Sequence, residues 1–414
     1  MRSLSIFALA ILPLPLLANE GISDNAPDTS VETAQAAQAQ PGKRNAVVPF
    51  LFSSTSMGTT LAAAGSFRGI FQPQAQLIAV GAYSNNDSYI AYGGLHNLSF
   101  GPKRWKLDLE AFSGTFKESE VYLNGSHNSE QQDYVTGEEH QERYSIHFRY
   151  LLPLGAGADA SANRRQAFSP MPPQSDSVSH QSPTDQPWVT LGFKPFYYTA
   201  TVADFDEEKT AGLELKLDVD ARNYVPSPSS GYRFEVDMQR DWGADDRDSY
   251  TNWQAQYSQY FDLGVNQYSK QQTLSLTAYL ADTPTWDKDN NTHQAPYFAQ
   301  NRLGGWDRLR GYTANRFHDR SAIFYGAEYR ATPNYQPQSQ IPFINRYQMP
   351  WWQWSLFAGV GRVHDEFDLG ELHQDLKWSA GFGARLWVEN VLVRMDIGYS
   401  EEGNQVRVVV NQPF

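Results

Sequence analysis

The chain has no cysteine in 414 residues. An exported protein without cysteine has no disulfide framework, so a packed core or a closed sheet must hold it together. Beyond the first twenty residues it also lacks any apolar run near the roughly 20 residues that a spanning helix needs, and mean hydropathy is -0.55. Helical membrane architecture is excluded. Positive charge is scarce, with 33 Lys and Arg against 46 Asp and Glu and a net charge of -13. No basic patch stands out, which argues against nucleic acid as a partner. The nine histidines show no metal-ligand spacing, and no Gly-x-Ser-x-Gly elbow or phosphate-cradling loop is present. No cofactor is expected, and the chain does not read as an enzyme.

What is present begins with a secretory signal over residues 1–18, with Arg2 as its positive region, an apolar run from about Ile6 to Leu17 and Ala18 at the cleavage position. Residues 19–46 are rich in Ala, Gln, Asp and Ser and nearly devoid of large apolar groups, which predicts a flexible periplasmic leader. Residues 47–414 read as one unit.

Within that unit, "GLELKLDVDAR" (212–222) alternates without exception. Leu213, Leu215, Leu217, Val219 and Ala221 oppose Glu214, Lys216, Asp218, Asp220 and Arg222. A period of two places these sets on opposite faces of a strand. The same division recurs in "WKLDLEAF" (105–112), "KWSAGFGARLWVE" (377–389) and "VLVRMDIGY" (391–399). Repeated strands of about ten residues, apolar on one face and ionic on the other, predict a transmembrane barrel with lipid outside and a wet lumen inside. A secreted sandwich or propeller is the soluble alternative.

Strand candidates begin near Thr59, Pro73, Ser88, Arg104, Lys117, Gln141, Pro187, Lys209, Gly231, Tyr250, Gln271, Ser321, Gln353, Leu376, Val391 and Asn404. The expected fold is all-β, a closed antiparallel 16-stranded barrel, since an open edge in hydrocarbon leaves backbone groups unpaired. In this register the turns 84–87 and 389–390 are periplasmic, and so are the longer segments 155–186 and 333–350. In "MPWWQW" (349–354), Trp351, Trp352 and Trp354 read as interfacial anchors. The last strand carries Val406, Val408, Val410 and Phe414 on one parity, and the terminal Phe resembles the recognition signal of bacterial outer-membrane barrels.

Between residues 282 and 321 lies a long connection containing "NRLGGWDRLRGY", followed by "SAIFYGAEYR". This stretch resembles the sixth extracellular loop and next strand of the BamA/TamA superfamily, or bacterial surface antigens, whose Arg-Gly-Phe/Tyr triplet folds back into the lumen. "DVDARNYVPSPSSGYRFEVD", "GFGAR" and "RMDIGYSEEG" resemble further motifs of that family in order, so the likeness spans about 210–414. It implies that Arg310, Gly311 and Tyr312 occupy the lumen. It also implies a role at the bacterial outer membrane in inserting or translocating proteins or lipids, with outer-membrane lipids and outer-membrane or secreted proteins as partners. A passive porin-like channel or structural barrel is the alternative.

The family pairs its Arg with an Asp in a Phe-x-Asp-x-Gly strand motif, but "FAGVG" here has Gly359 at that position. Glu328 and Asp396 are the candidate substitutes, with Arg330 and Arg394 as same-strand competitors. His318 reads as a loop polar residue. Docking modules of the POTRA type, which usually precede such barrels, find no room in residues 19–46. The first and last strands, near Thr59–Phe67 and Val406–Phe414, are expected to form a weak seam.

Overall fold

The computed structural model describes residues 45–54, 56–101, 104–158, 186–225, 227–342, 345, 349–388 and 391–410. The signal, most of the leader and Phe414 lie outside the described residues.

Sixteen strands form one antiparallel sheet in chain order, except that a two-stranded ribbon is inserted after the eleventh. They are β1 (Ala46–Ser54), β2 (Gly58–Arg68), β3 (Gln76–Ser84), β4 (Tyr89–Ser99), β5 (Trp105–Val121), β6 (Val135–Gly155), β7 (Trp188–Val202), β8 (Glu208–Asp220), β9 (Gly231–Ala244), β10 (Arg247–Gly264) and β11 (Ser269–Asp282). After the ribbon β12 (Asn301–Leu303) and β13 (Phe317–Asp319) come β14 (Ser321–Pro333), β15 (Trp352–His364), β16 (Lys377–Val388), β17 (Val391–Ser400) and β18 (Gly403–Val410). A four-residue helix, α1 (Leu369–Leu372), lies between β15 and β16. No helix among the described residues is long and apolar enough to cross a membrane. Every neighbouring pair is laddered, but among the described residues no ladder joins β1 to β18.

The total of sixteen matches the sequence reading through two compensating differences. β1 went unseen because "AVVPFLFSS" is apolar on both parities and carries Pro49, so it neither alternates nor reads as a ladder strand. The strand expected at Lys117 does not exist. A register shift between Phe116 and Ser119 on β5 breaks the alternation within a single 17-residue strand. One consequence is that residues 84–87 move to the rim that carries 283–320, where Asn85 accepts from the Thr59 amide and Asn86 donates to the Ser56 carbonyl. The connections after β6 and β14 leave from the rim that holds the ends of the sheet, as expected. The edge strand of the sheet opposite β18 is β1, not the strand at Thr59.

Polarity across the wall is inverted relative to a soluble protein. Leu215, Leu276, Leu356, Phe382, Val406 and Val408 are exposed on the outer face, while Glu214, Asp237, Glu328, Arg330, Arg385 and Asp396 are buried on the inner one. Apolar side chains turned outward belong against hydrocarbon, and charges turned inward need one another or water. Spin labels at Leu215→Cys and Lys216→Cys check this directly in lipid: the first becomes accessible to oxygen, the second to a nickel chelate. Equal nickel accessibility at both would remove the membrane assignment.

Both mouths are crossed by backbone. At the terminal rim, the turn 221–230 folds inward: Ser227 meets Gln353 on β15 at 3.0 Å and Tyr224 packs on Trp387 of β16. The turn is held by Asp220, which grips Arg222 at 2.9 Å, and by Asn223, whose side chain accepts from the amides of Ser229 and Ser230. Trp351 is fully buried and stacks on Trp387, so it is an inward core residue and not an interfacial anchor. At the other rim, loop 122–134 reaches across the mouth. Its His127 contacts Asp375 at 3.0 Å, and Gln131 donates to the Glu402 carbonyl.

Candidate functional site: the folded-back loop and its arginine seat

Residues 283–320 turn inward: Arg310–Tyr312 lie against the inner face of β14–β18, while Tyr297 and Phe298 pack against Val121, Ala200 and Val202 of β5 and β7. Gly304 and Gly305 hold φ of +97° and +118°, a region that favours glycine, and they make the tight bend. Gly311 has a different role: it brings backbone onto backbone. A Cβ there would overlap the Tyr399 carbonyl, and one on the facing Gly398 would overlap Arg310 and Gly311 main chain. Ser400 Oγ donates to the Gly311 carbonyl at 2.9 Å. Tyr312 is buried and packs edge-on against Phe317, within an apolar cluster that includes Leu303, Leu309 and Val363.

Arg310, 4% exposed, reaches both candidate acids. Its guanidinium meets Glu328 at 2.6 Å and Asp396 at 3.2 Å, and it lies 4.2 Å over the Phe357 ring. The position of the missing family carboxylate, Gly359, is backed by the Phe324 ring, which a Cβ at 359 would strike. Carboxylates on the neighbouring strand β14 and on β17, two strands away, take over the pairing.

The acids are shared. Glu328 also meets Arg385 at 2.7 Å and Arg330 at 3.3 Å, and Asp396 meets Arg385 at 3.3 Å and Arg394 at 3.2 Å. Arg394 donates to the Trp306 carbonyl at 2.6 Å, so it too holds the loop. From β18, Arg407 donates to the carbonyls of Arg310 and Tyr312. Arg385 and Arg407 share the inward parity of their strands, but nothing in their spacing marks them as loop contacts.

The seat depends on alternation and on small residues. Glu328, Arg330, Arg385, Arg394 and Asp396 share the inward parity of their strands, and the register sets Gly383 opposite Asp396 and Gly381 opposite Gly398. The glycines of "GFGAR" thus leave the depth into which the loop sinks. Of the remaining sequence candidates, Val406 and Val408 point outward on β18, and Val410 ends that strand.

Arg316 pins the outer part of the loop, pairing with Glu402 at 2.7 Å and donating to Ser129. His318 is 3% exposed and faces loop 122–134, not the lumen wall. Gly125 N–H donates to its Nε2 at 3.0 Å, and Nδ1 meets Gln300 Oε1 at 2.6 Å. Burial holds this imidazole below its ordinary value of 6.5, reinforced by Arg302 and Lys288 and opposed by the Tyr122 carbonyl and Asp319. The docked state thus favours neutral His318. Docking is intact above pH 6.5 and weakens as pH falls below it, because the detached loop takes up the proton first. Limited proteolysis within 122–134 should rise between pH 7.5 and 5.5, and His318→Asn should flatten that rise.

Among the described residues no group of three or more His, Asp or Glu has the arrangement of a metal site. A search of curated protein sequences finds no significant match. Solved structures do match in fold. BamA from Haemophilus ducreyi lacking POTRA domains 1-3 is 11% identical, with a TM-score of 0.51 over 89% of this chain and 70% of that one. CdiB from Escherichia coli is 11% identical, with a TM-score of 0.53 over 88% of this chain and 61% of that one. CdiB from Acinetobacter baumannii is 12% identical, with a TM-score of 0.52 over 89% and 59%. This chain thus spans about three fifths of the length of either CdiB. The model of the Omp85 superfamily domain matches residues 94–406, three quarters of the sequence, and the chain belongs to that superfamily.

Proposed function

We propose that this chain is a bacterial outer-membrane barrel that inserts or translocates protein substrates through the seam between β1 and β18. The observation that carries the reading is the unladdered pair of edges in a sheet whose other neighbours are all laddered. In lipid those edges must meet when no substrate is present, because unpaired backbone groups in hydrocarbon cost several kcal/mol each. A substrate strand offering its own N–H and C=O groups satisfies the same edges, so it competes with closure at little net cost.

The loop supports this reading by bracing one edge. Arg407 ties β18 to the Arg310 and Tyr312 carbonyls, so β18 is held from inside while its outer edge stays free. A porin-like pore is disfavoured by the same geometry, since the loop lies across the lumen and both mouths are crossed.

Photocrosslinking amino acids at Val47 on β1 and Val408 on β18 test the seam during insertion of nascent barrel chains into proteoliposomes. Adducts form at both edges, and Leu215 in mid-sheet serves as control. Equal labelling at Leu215, together with a steady large conductance in planar bilayers, would replace this reading with a passive channel.

A further inference from the structure

The loop is seated on β14–β18 and touches the opposite wall only in places, which leaves a gap there. Between the loop and the β6–β11 wall lies a cavity of about 240 Å³. Three arginines line it: Arg143 from β6, and Arg302 and Arg308 from the loop. Among the described residues their hydrogen bonds go to neutral oxygens. Arg143 donates to Gln141 at 2.8 Å, Arg302 to the Phe298 carbonyl at 2.7 Å, and Arg308 to Gln256 at 2.8 Å while stacking 3.6 Å over Tyr279.

The charge is not balanced from within. Asp237 is the acidic residue in the lining, and its carboxylate already meets Lys216 at 3.2 Å and accepts from Gln254 at 3.3 Å. The loop arginines Arg310 and Arg316, by contrast, each hold a carboxylate. Three guanidiniums line this space against one carboxylate that Lys216 already shares, and the arrangement is favourable when an anion completes it.

A second feature narrows the anion. Asn252, 8% exposed, also lines the cavity, and its side-chain oxygen is buried without a hydrogen-bond partner. The space exceeds what one phosphate fills, so it has room for a hydroxyl carried beyond the phosphate to meet that oxygen. Guanidiniums for a phosphate, amides for hydroxyls and an aromatic face together suit a phosphorylated sugar.

We propose that this cavity binds a phosphorylated monosaccharide unit, with Arg143, Arg302 and Arg308 sharing the phosphate and Asn252 accepting from a sugar hydroxyl. The unit arrives either as a free sugar phosphate or as the headgroup of a phosphorylated glycolipid. Bound there, it bridges the loop to the wall opposite its arginine seat. The site stands apart from the seam, and its occupancy is read without any insertion assay.

Calorimetric titration of the folded full-length protein in detergent micelles tests the proposal, with glucose 6-phosphate as probe and glucose and inorganic phosphate as comparisons. Glucose 6-phosphate binds saturably, inorganic phosphate at least tenfold more weakly, and glucose not at all. Arg302→Gln and Arg308→Gln each weaken binding at least tenfold while the heat-resistant folded band persists on gels. Asn252→Ala, which removes no charge, brings glucose 6-phosphate down to the affinity of inorganic phosphate. Lipid A in mixed micelles separates the sources: competition with the probe identifies the glycolipid, and its absence identifies the free solute. The proposal falls if glucose 6-phosphate shows no saturable binding, if it binds equally to both arginine variants, or if inorganic phosphate binds as tightly.

Discussion

Glu328→Gln should unseat the folded-back loop, and it should do so more completely than loss of Arg310 itself. Four guanidiniums, those of Arg310, Arg330, Arg385 and Arg394, are arranged around the carboxylates of Glu328 and Asp396. Neutralising Glu328 leaves Asp396 alone among them, in a place with no exposure to water. Removing one partner of a buried ion pair typically costs about 3–5 kcal/mol, because the remaining charge is stranded. Glu328 is partner to three, so the upper end of that range applies. Arg310→Met instead removes a positive charge from a cluster that has a surplus, and part of its lost pairing is recovered as relieved repulsion. The double variant should therefore be more stable than Glu328→Gln alone, a coupling that a double-mutant cycle reads directly. The measurements are the fraction of heat-resistant folded band and the rate of tryptic cleavage after Arg302, Arg308 and Arg310, which are shielded while the loop is seated. An additive cycle, or loop protection unchanged in Glu328→Gln, would show that the charges do not hold the loop.

The contrast between strand and seat shows what a sequence can reveal. Alternation in 212–222 gave the side-chain orientation along β8 from Gly212 to Asp220, because the period of two is a property of the extended backbone; Ala221, on the apolar parity, lies past the strand and is buried. Alternation gave the inward parity of Glu328 and Asp396 for the same reason, and a missing acid at Gly359 made them the candidates. Alternation fails where the backbone departs from it: the shift at Phe116 split β5, and β1, apolar on both parities, went unseen. Contacts between distant elements leave no local signal either. Nothing near residue 221 announces that the following turn crosses the lumen to Gln353, and nothing near Arg407 announces that it holds the carbonyls of Arg310 and Tyr312. Gly311 illustrates a subtler limit. A glycine in a bend suggests a left-handed φ, and Gly304 and Gly305 meet that expectation. Gly311 is needed because the main chain of Tyr399 and Ser400 lies against it, a reason visible only with both segments in place.

That close approach supports the second large effect: Gly398→Ala should lift the loop although it changes no charge. The added methyl would overlap the Arg310 carbonyl and the Gly311 amide, both main chain, so no side-chain rotation relieves it. Overpacking a rigid site costs about 1–3 kcal/mol, and here the strain falls on a contact that Arg407 and Ser400 share. Once the Arg310 carbonyl moves, Arg407 loses both of its loop acceptors and β18 loses its inner brace. The lumen then loses its plug, and planar-bilayer recordings of Gly398→Ala should show larger and more frequent openings than the parent protein. Two controls separate this from a general intolerance of larger residues. Gly93→Ala on β4 and Gly81→Ala on β3 both enter open space, and both should leave conductance near the parent level. If Gly398→Ala conducts like the parent, the loop is not held by main-chain contact with β17, and the arginine network alone must keep it in the lumen.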